Sequence, residues 1–433
     1  MKPKIALVNY ENSPDSLEKA IKLCDGFSKL EKRHNVLIKP NLLTWSEDVT
    51  YPPYGMVTTT RLIEDIIILL KKHGCKDISI GEGSVAMHGK SDTPVAFRGL
   101  GYKELADKYD VTLIDFNESK SIKKKVNHEI SLLLAKPALE ADFFINVPVL
   151  KTHSQTKVSI ALKNVKGCLK PASKKFCHHP KLSLEHCFQF IVDYIKPNLN
   201  IVDGIYALNQ GPLYFGKAIR KNVIIASRNV LGTDLVAAKS IGFDPNKITH
   251  FREYAQRKDV SLHLKEYTLL GNDLEKNITP LEWDWAWTED NTGPSIFAKL
   301  GVEGIAIQKY DESLCSGCSP ISNMVNILIL SAFKKKPFPS IEILNGKRMQ
   351  ARPGYDTTLL LGNCIIRANK ENLNIKNAYK VKGCPPKSED VVSALRDLGI
   401  SVNPEAYKKY IEKHTNKYLD NEDFSLAFYR TKL

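Results

Sequence analysis

A chain of 433 residues is longer than one ordinary hydrophobic core supports, so two or three domains are expected. Its 43% hydrophobic and 25% charged residues are those of a folded globular protein, and no run of eighteen apolar residues occurs, which argues against a membrane-spanning helix. The formal net charge of +14 raises nucleic acid as a partner, and nine cysteines without a repeating framework fit a reducing cytoplasm better than a disulfide scaffold.

In chain order, MKPKIALVNY suggests a first β-strand over Ile5–Val8 and lacks the apolar core of a signal peptide. Val36–Ile38 is a second short apolar run, followed at once by Lys39, Pro40 and Asn41. Leu62, Ile63, Ile66, Ile67 and Leu70 have helical spacing, interrupted by Glu64 and Asp65. Ile78–Ile80 comes next and leads into Gly81, Glu82, Gly83 and Ser84. The backbone N–H groups of that loop could approach an anion, although a plain tight turn explains the glycines equally well. Leu113–Ile114 and Phe143–Val147 add two further strands. Buried strands alternating with amphipathic helices predict an α/β fold with a mainly parallel sheet and flanking helices.

The Phe143–Val147 strand opens the most informative loop, INVPVLKTHSQTKVSIALKNVKGCLK. The strand is expected to end at Pro148, placing Lys151, Thr152 and His153 in a loop before a helix. That helix would have Val158, Leu162, Val165 and Leu169 as its apolar stripe and Lys163, Lys166 and Lys170 on another face. Lysine and histidine at a helix start suit an anion. No acidic residue lies between Asp142 and Glu185, while lysines and the His178–His179 pair crowd this window. Such a stretch creates a local positive field for phosphate or carboxylate ligands, unless it is simply a solvated surface.

Further on, Leu199–Val202 suggests a strand ending at Asp203 and Gly204, and Asn222–Ala226 another after the GPLYFGK loop. Asp234–Ile241 looks helical. Asp203 and Asp234 are acidic candidates near the lysines for holding a cation or moving a proton, with a plain helix-start role open for Asp234. The tract around Trp283, Trp285 and Trp287 has no clear period and is expected to connect residues 1–290, the α/β body, to a smaller α/β region over 291–433.

The C-terminal region holds Cys315 and Cys318 in LCSGCSP, Cys364 in LGNCII and Cys384 in VKGCPP. A Cys-x-x-Cys turn plus a Cys-Pro ending favours an iron–sulfur site, a four-iron (4Fe-4S) cluster above all. Zinc is the lesser alternative, because structural zinc usually takes two closely spaced cysteine pairs and one is present. Buried thiols without metal are the other alternative, since free cysteine packs as a small hydrophobe. Cys24, Cys75, Cys168, Cys177 and Cys187 are not expected to be ligands, with the last three, beside His178 and His179, forming the rival metal group.

The ordered segments KPNLL, GEGS, GYKELADKYDVTLIDF, INVPVLKTH, VSIALKNVKGCL, IVDGI and ASRNVLGTDLVAAKSIG resemble the prokaryotic family catalogued as domain of unknown function 362. The resemblance covers about residues 35–270. It implies an associated iron–sulfur module, and it points to Lys39, Asn41, Glu82, Ser84, Lys151, His153, Lys163, Asn164 and Asp203 as binding residues. The closely spaced cysteines of a fused ferredoxin, usual in that family, are replaced here by the dispersed set. A local likeness joins VKGCPPKSEDVVSAL to the GCPP segment of cluster-bearing small subunits of complex I and related hydrogenases, and it implies a ligand role for Cys384.

Taken together, these features lead to the expectation of a cytoplasmic iron–sulfur protein in redox chemistry or electron transfer. Its body would bind an anionic small molecule or cofactor, and a redox partner protein would be its other contact. Two alternatives are a nucleic-acid-binding protein with a structural metal, weakened by the absence of a recognisable nucleic-acid-binding motif, and a non-catalytic cluster carrier or assembly factor.

Overall fold

The computed structural model describes residues 1–45, 52–87, 90–126, 130–211 and 215–430. Its largest element is a ten-stranded sheet whose path runs Thr268–Gly271, Lys4–Asn9, Lys217–Ser227, Leu199–Asn209, Phe143–Asn146, Val36–Lys39, Ile78–Glu82 and Thr112–Asp115. Along this path only Lys217–Ser227 runs against its neighbours, so the sheet is mainly parallel. Its apolar runs are continuous because both faces are covered. Val36, Ile38, Phe143 and Ile145 face one core with Leu62, Ile66 and Leu70. Leu37 and Phe144 point the other way, toward Leu162, Phe188 and Leu235.

The expected helix around Leu62–Leu70 spans Thr60–His73 and ends on Gly74 in the left-handed region (φ 98°). Its interrupting acids are buried and partnered: Asp65 accepts from Tyr10 (2.7 Å), and Glu64 from Lys108 (3.0 Å) and Tyr109 (2.8 Å). The strand expected to stop at Asp203 continues to Asn209, and Asn222–Ala226 lies inside Lys217–Ser227. Of the intervening GPLYFGK loop, Pro212–Tyr214 fall outside the described residues.

The loop after Phe143–Asn146 differs most from expectation. Lys151, Thr152 and His153 sit in a strand, Val149–His153, which lies parallel to the second half of Leu199–Asn209. Val158 belongs to a returning strand, Lys157–Ser159, and helix starts only at Ala161–Asn164, followed by a 3-10 turn over Val165–Cys168. The stripe Val158, Leu162, Val165, Leu169 is buried as expected, but through a hairpin and a tight turn.

A second, four-stranded parallel sheet follows in the order Ile305–Ile307, Ile341–Asn345, Thr357–Leu361, Asn377–Val381. The helices Ser319–Ala332 and Ser388–Asp397 pack on it through Val325, Leu328, Val391 and Leu395. After the helix Pro404–Asn416 the chain returns to the first lobe, where Tyr418, Phe428 and Tyr429 join the body's core. Among the described residues no helix is long and apolar enough to cross a membrane.

Candidate functional site

The parallel strands Val36–Lys39 and Ile78–Glu82 end side by side, and open α/β sheets gather their ligand-binding groups at such ends. Lys39 and Glu82 meet there as a buried ion pair, with Nζ 2.9 and 3.0 Å from the two carboxylate oxygens. Glu82 also accepts from the backbone N–H of Leu42 (3.0 Å) and Gly83 (2.7 Å), and Lys39 donates to the Pro40 carbonyl (2.9 Å). Fully hydrogen-bonded, the pair tolerates burial; removing either partner would strand a charge and cost about 3–5 kcal/mol.

Beside it runs a row of side-chain amides across the sheet. Asn41 donates to Asn164 (3.0 Å), Asn164 to Asn146 (2.9 Å), and Asn146 to Asn200 (2.9 Å). Lys151 donates to Asn41 Oδ1 and to the Met56 carbonyl (2.7 Å). The short helix Ala161–Asn164 is fixed by Asp234, whose carboxylate accepts from Ala161 N (2.7 Å) and Leu162 N (3.0 Å). Asp234 therefore anchors another helix from within its own, Val230–Ser240.

These groups line one cleft of about 220 Å³, together with His153, Lys163, Lys166, Lys174 and His178. Of the residues expected to bind ligand, Lys39, Asn41, Glu82, Lys151, His153, Lys163 and Asn164 line it, whereas Ser84 and Asp203 do not. Ser84 lies one residue past the strand-end loop and is buried, its carbonyl accepting from Asn117 (2.9 Å). The Asp203 carboxylate accepts from Thr59 N (2.6 Å) and Ile205 N (3.1 Å), at the start of the Thr60–His73 helix on the other side of the sheet.

The cations crowd one another in a largely acid-free wall. Burial pulls Lys151 down to about 7, with Lys39 adding to the fall, and holds Lys163 well below the usual lysine range, helped by Lys166 and Lys151. Lys166 is lowered by burial as well. His153 and His178 are pushed well below the ordinary imidazole range, first by burial and then by neighbouring lysines. Lys170 takes no part: it donates to the carbonyls of Phe116 (3.3 Å), Asn117 and Ser119 (2.7 Å), tying down the loop after Thr112–Asp115. Lys174, lowered to about 7 by burial, is likewise bound to Gly83 O, Ser84 O and Asn117 Oδ1.

The opposite wall of the cleft comes from the second lobe: Tyr310, Leu314, Ser316, Gly317, Ser319, Pro320 and Asn323. Sequence reasoning missed this wall, along with Gln155 and Glu312, which fasten it. Gln155 Nε2 donates to the carbonyls of Asp311 (2.8 Å) and Leu314 (2.9 Å), and His178 Nδ1 lies 2.7 Å from the Glu312 carbonyl. The Glu312 carboxylate accepts from Ser183 (3.0 Å) and Leu184 N (3.1 Å) at the start of the helix Leu184–Ile195.

Cys315 and Cys318 flank the wall residues Ser316 and Gly317, within a turn closed by Cys318 N to Cys315 O (3.0 Å). Cys364 and Cys384 follow neighbouring strands of the small sheet, and their loops are joined by Asn363 N to Gly383 O (2.9 Å) and Gly383 N to Asn363 Oδ1 (2.9 Å). The Cys315 thiol is pulled down by a hydrogen bond with Cys318, while Cys318 is raised by that bond, by burial, and by Cys315, Cys364 and Cys384 nearby. Exposure grades from buried Cys315 to exposed Cys384. Among the described residues no three of His, Cys, Asp and Glu are set to hold a single metal ion. Cys24 and Cys168 are buried thiols raised to about 12 by burial, and buried Cys177 and Cys187 hydrogen-bond each other.

Comparison with known proteins agrees with the motif reading. The family model described as Domain of unknown function (DUF362) matches residues 36–239. A thylakoid-associated protein of Synechocystis sp. is 29% identical over 224 residues, which cover 49% of this chain and 64% of that protein, so the chain spans less than two thirds of that relative's length. A looser likeness joins 55% of the chain to 57% of the lactate racemase apoprotein of Thermoanaerobacterium thermosaccharolyticum, at 12% identity and a TM-score of 0.34. The likeness to the DUF362 family thus lies in residues 36–239 of this chain.

Proposed function

We propose that the chain is a cytoplasmic iron–sulfur protein with a redox or electron-transfer role, binding an anionic substrate or cofactor in the cleft between its lobes. One observation carries this: Ser316 and Gly317, the two residues between Cys315 and Cys318, line the same cleft as Lys151, His153 and Lys163. Four thiols come from three loops that meet around Cys318, whose thiol is raised by Cys315, Cys364 and Cys384, and a four-iron cluster takes one cysteine per iron. Cys315, Cys318, Cys364 and Cys384 would hold it, supplying one-electron chemistry at the cleft wall.

The chain's own residues do the rest. The Lys39–Glu82 pair and the amide row fix the cleft floor, so that Lys151, Lys163 and His153 meet a ligand already oriented. Lys163 Nζ, kept poor in protons by burial, can accept one there as negative charge enters. The nine free cysteines accord with a reducing compartment. Anaerobic purification with iron, sulfide and zinc analysis, followed by EPR of the reduced protein, tests the cofactor. Cys315→Ser and Cys384→Ser should lose the brown chromophore and most iron, and Cys177→Ser should keep both; the reverse pattern would sink the assignment.

A further inference from the structure

The hydrogen-bond capacity of the cleft indicates what should fill it. A lysine ammonium has three donors. Those of Lys39 and Lys174 are taken up by Glu82, Pro40 O, Gly83 O, Ser84 O and Asn117. Lys163, by contrast, makes one long contact, 3.4 Å to Ser159 Oγ, and Lys166 one, 2.8 Å to His178 Nε2. His153 Nδ1 accepts from Gln155 N (3.1 Å), which leaves Nε2 to carry the proton of the neutral ring. On the facing wall Ser316, Ser319 and Asn323 line the same space. Among the described lining residues the one carboxylate, Glu82, is saturated by Lys39, Leu42 and Gly83.

Deepening the anion-binding reading above, we infer that the cleft takes a small dianion, a dicarboxylate or a phosphoryl compound of a few carbons, clasped between Lys163 and Lys166 on one lobe and Ser316, Ser319 and Asn323 on the other. Two adjacent lysine amines with unused hydrogen-bonding capacity, and no free carboxylate among the described lining residues, suit an anion whose two negative charges would keep both amines protonated. The size follows from the cavity: about 220 Å³ lies below the usual range for ligand pockets of about 300–1,000 Å³, which favours a compact ligand. Occupancy would also recruit protons. Lys163 faces Lys151 and Lys166, with Glu185 its acidic neighbour, and each amine becomes easier to protonate once a dianion sits among them.

The test is calorimetric titration of malonate, inorganic phosphate and acetate into the full chain, at about pH 6.5 and about pH 8.5. Malonate or phosphate should bind at least about tenfold more tightly than acetate, and more tightly at the lower pH. Lys163→Gln and Lys166→Gln should each weaken that binding about tenfold or more while thermal melting and iron content stay unchanged. Preference for malonate assigns two carboxylates, preference for phosphate a phosphoryl group, and either supports the inference. Acetate binding as tightly as the dianions, or dianion binding indifferent to both substitutions, overturns it. Iron content on the same samples separates the two proposals: iron-free protein that binds malonate would overturn the cluster alone, and iron-loaded protein blind to both dianions would overturn the dianion alone.

Discussion

At the scale of single residues, Glu82, Asp203 and Asp234 are buried acids held in two different ways. Glu82 is matched by a cation, whereas Asp203 and Asp234 are held by backbone N–H groups. Burial consequently raises Asp203 to about 6 and Asp234 to about 7. Between an unfolded value near 4 and those folded values, the native chain binds more protons than the unfolded one. Their contribution to stability is therefore complete below about pH 4 and is lost as pH rises through 6 and 7, on the order of 3 kcal/mol for Asp203. Asp203→Asn should flatten the fall in urea midpoint across that window. An unchanged slope would show that the carboxyl is not protonated in the folded state. Neither aspartate's role is legible from sequence, because a carboxylate that caps a distant helix looks like any other carboxylate after a strand.

Among the elements, the strands were legible and the hairpin was not. Val36–Ile38, Ile78–Ile80 and Phe143–Val147 stand out because strands covered on both faces are apolar throughout. VSIALKNVKGCL matches helical spacing, yet its first residues pair with Val149–His153, and Lys157 turns the chain at φ 60°. Tertiary pairing overrode a local period there. The payoff is position: the tight turn Val165–Cys168 lies directly over the Lys39–Glu82 pair. A Cβ on Gly167 would collide with Glu82 Oε1 and Lys39 Nζ. Gly167→Ala should accordingly destabilise the chain by about 1–3 kcal/mol in urea unfolding. A substitution without cost would mean that the turn stands clear of the pair.

For the whole molecule, the two lobes make one site, and sequence spacing could not foresee it, since no local pattern says which loop of one sheet faces which loop of another. The lobes are also tied by the tail. Tyr54 packs against Tyr206 (ring centroids 4.9 Å apart), Phe424 (5.0 Å) and Tyr429 (5.8 Å), and Tyr429 donates to the Pro53 carbonyl (3.2 Å). Truncating Tyr429 to alanine should cost about 3–5 kcal/mol, as for other large buried aromatics, and should speed proteolysis of the first lobe. Loss confined to the second lobe would show that the tail is a passenger on the body.

That returning tail sets an order for biosynthesis. Domains generally fold as they leave the ribosome, first part first. Here the first lobe cannot close its own core until Tyr418, Phe428 and Tyr429 have been translated. Throughout elongation of the second lobe, the half-built first lobe carries a bare aromatic patch around Tyr54 and Tyr206. A chain that stalls or terminates early keeps that patch on its surface, where chaperones and proteases recognise unfinished protein. These late residues thus act as a cover made after the surface it hides, and a chain that lacks them shows the patch.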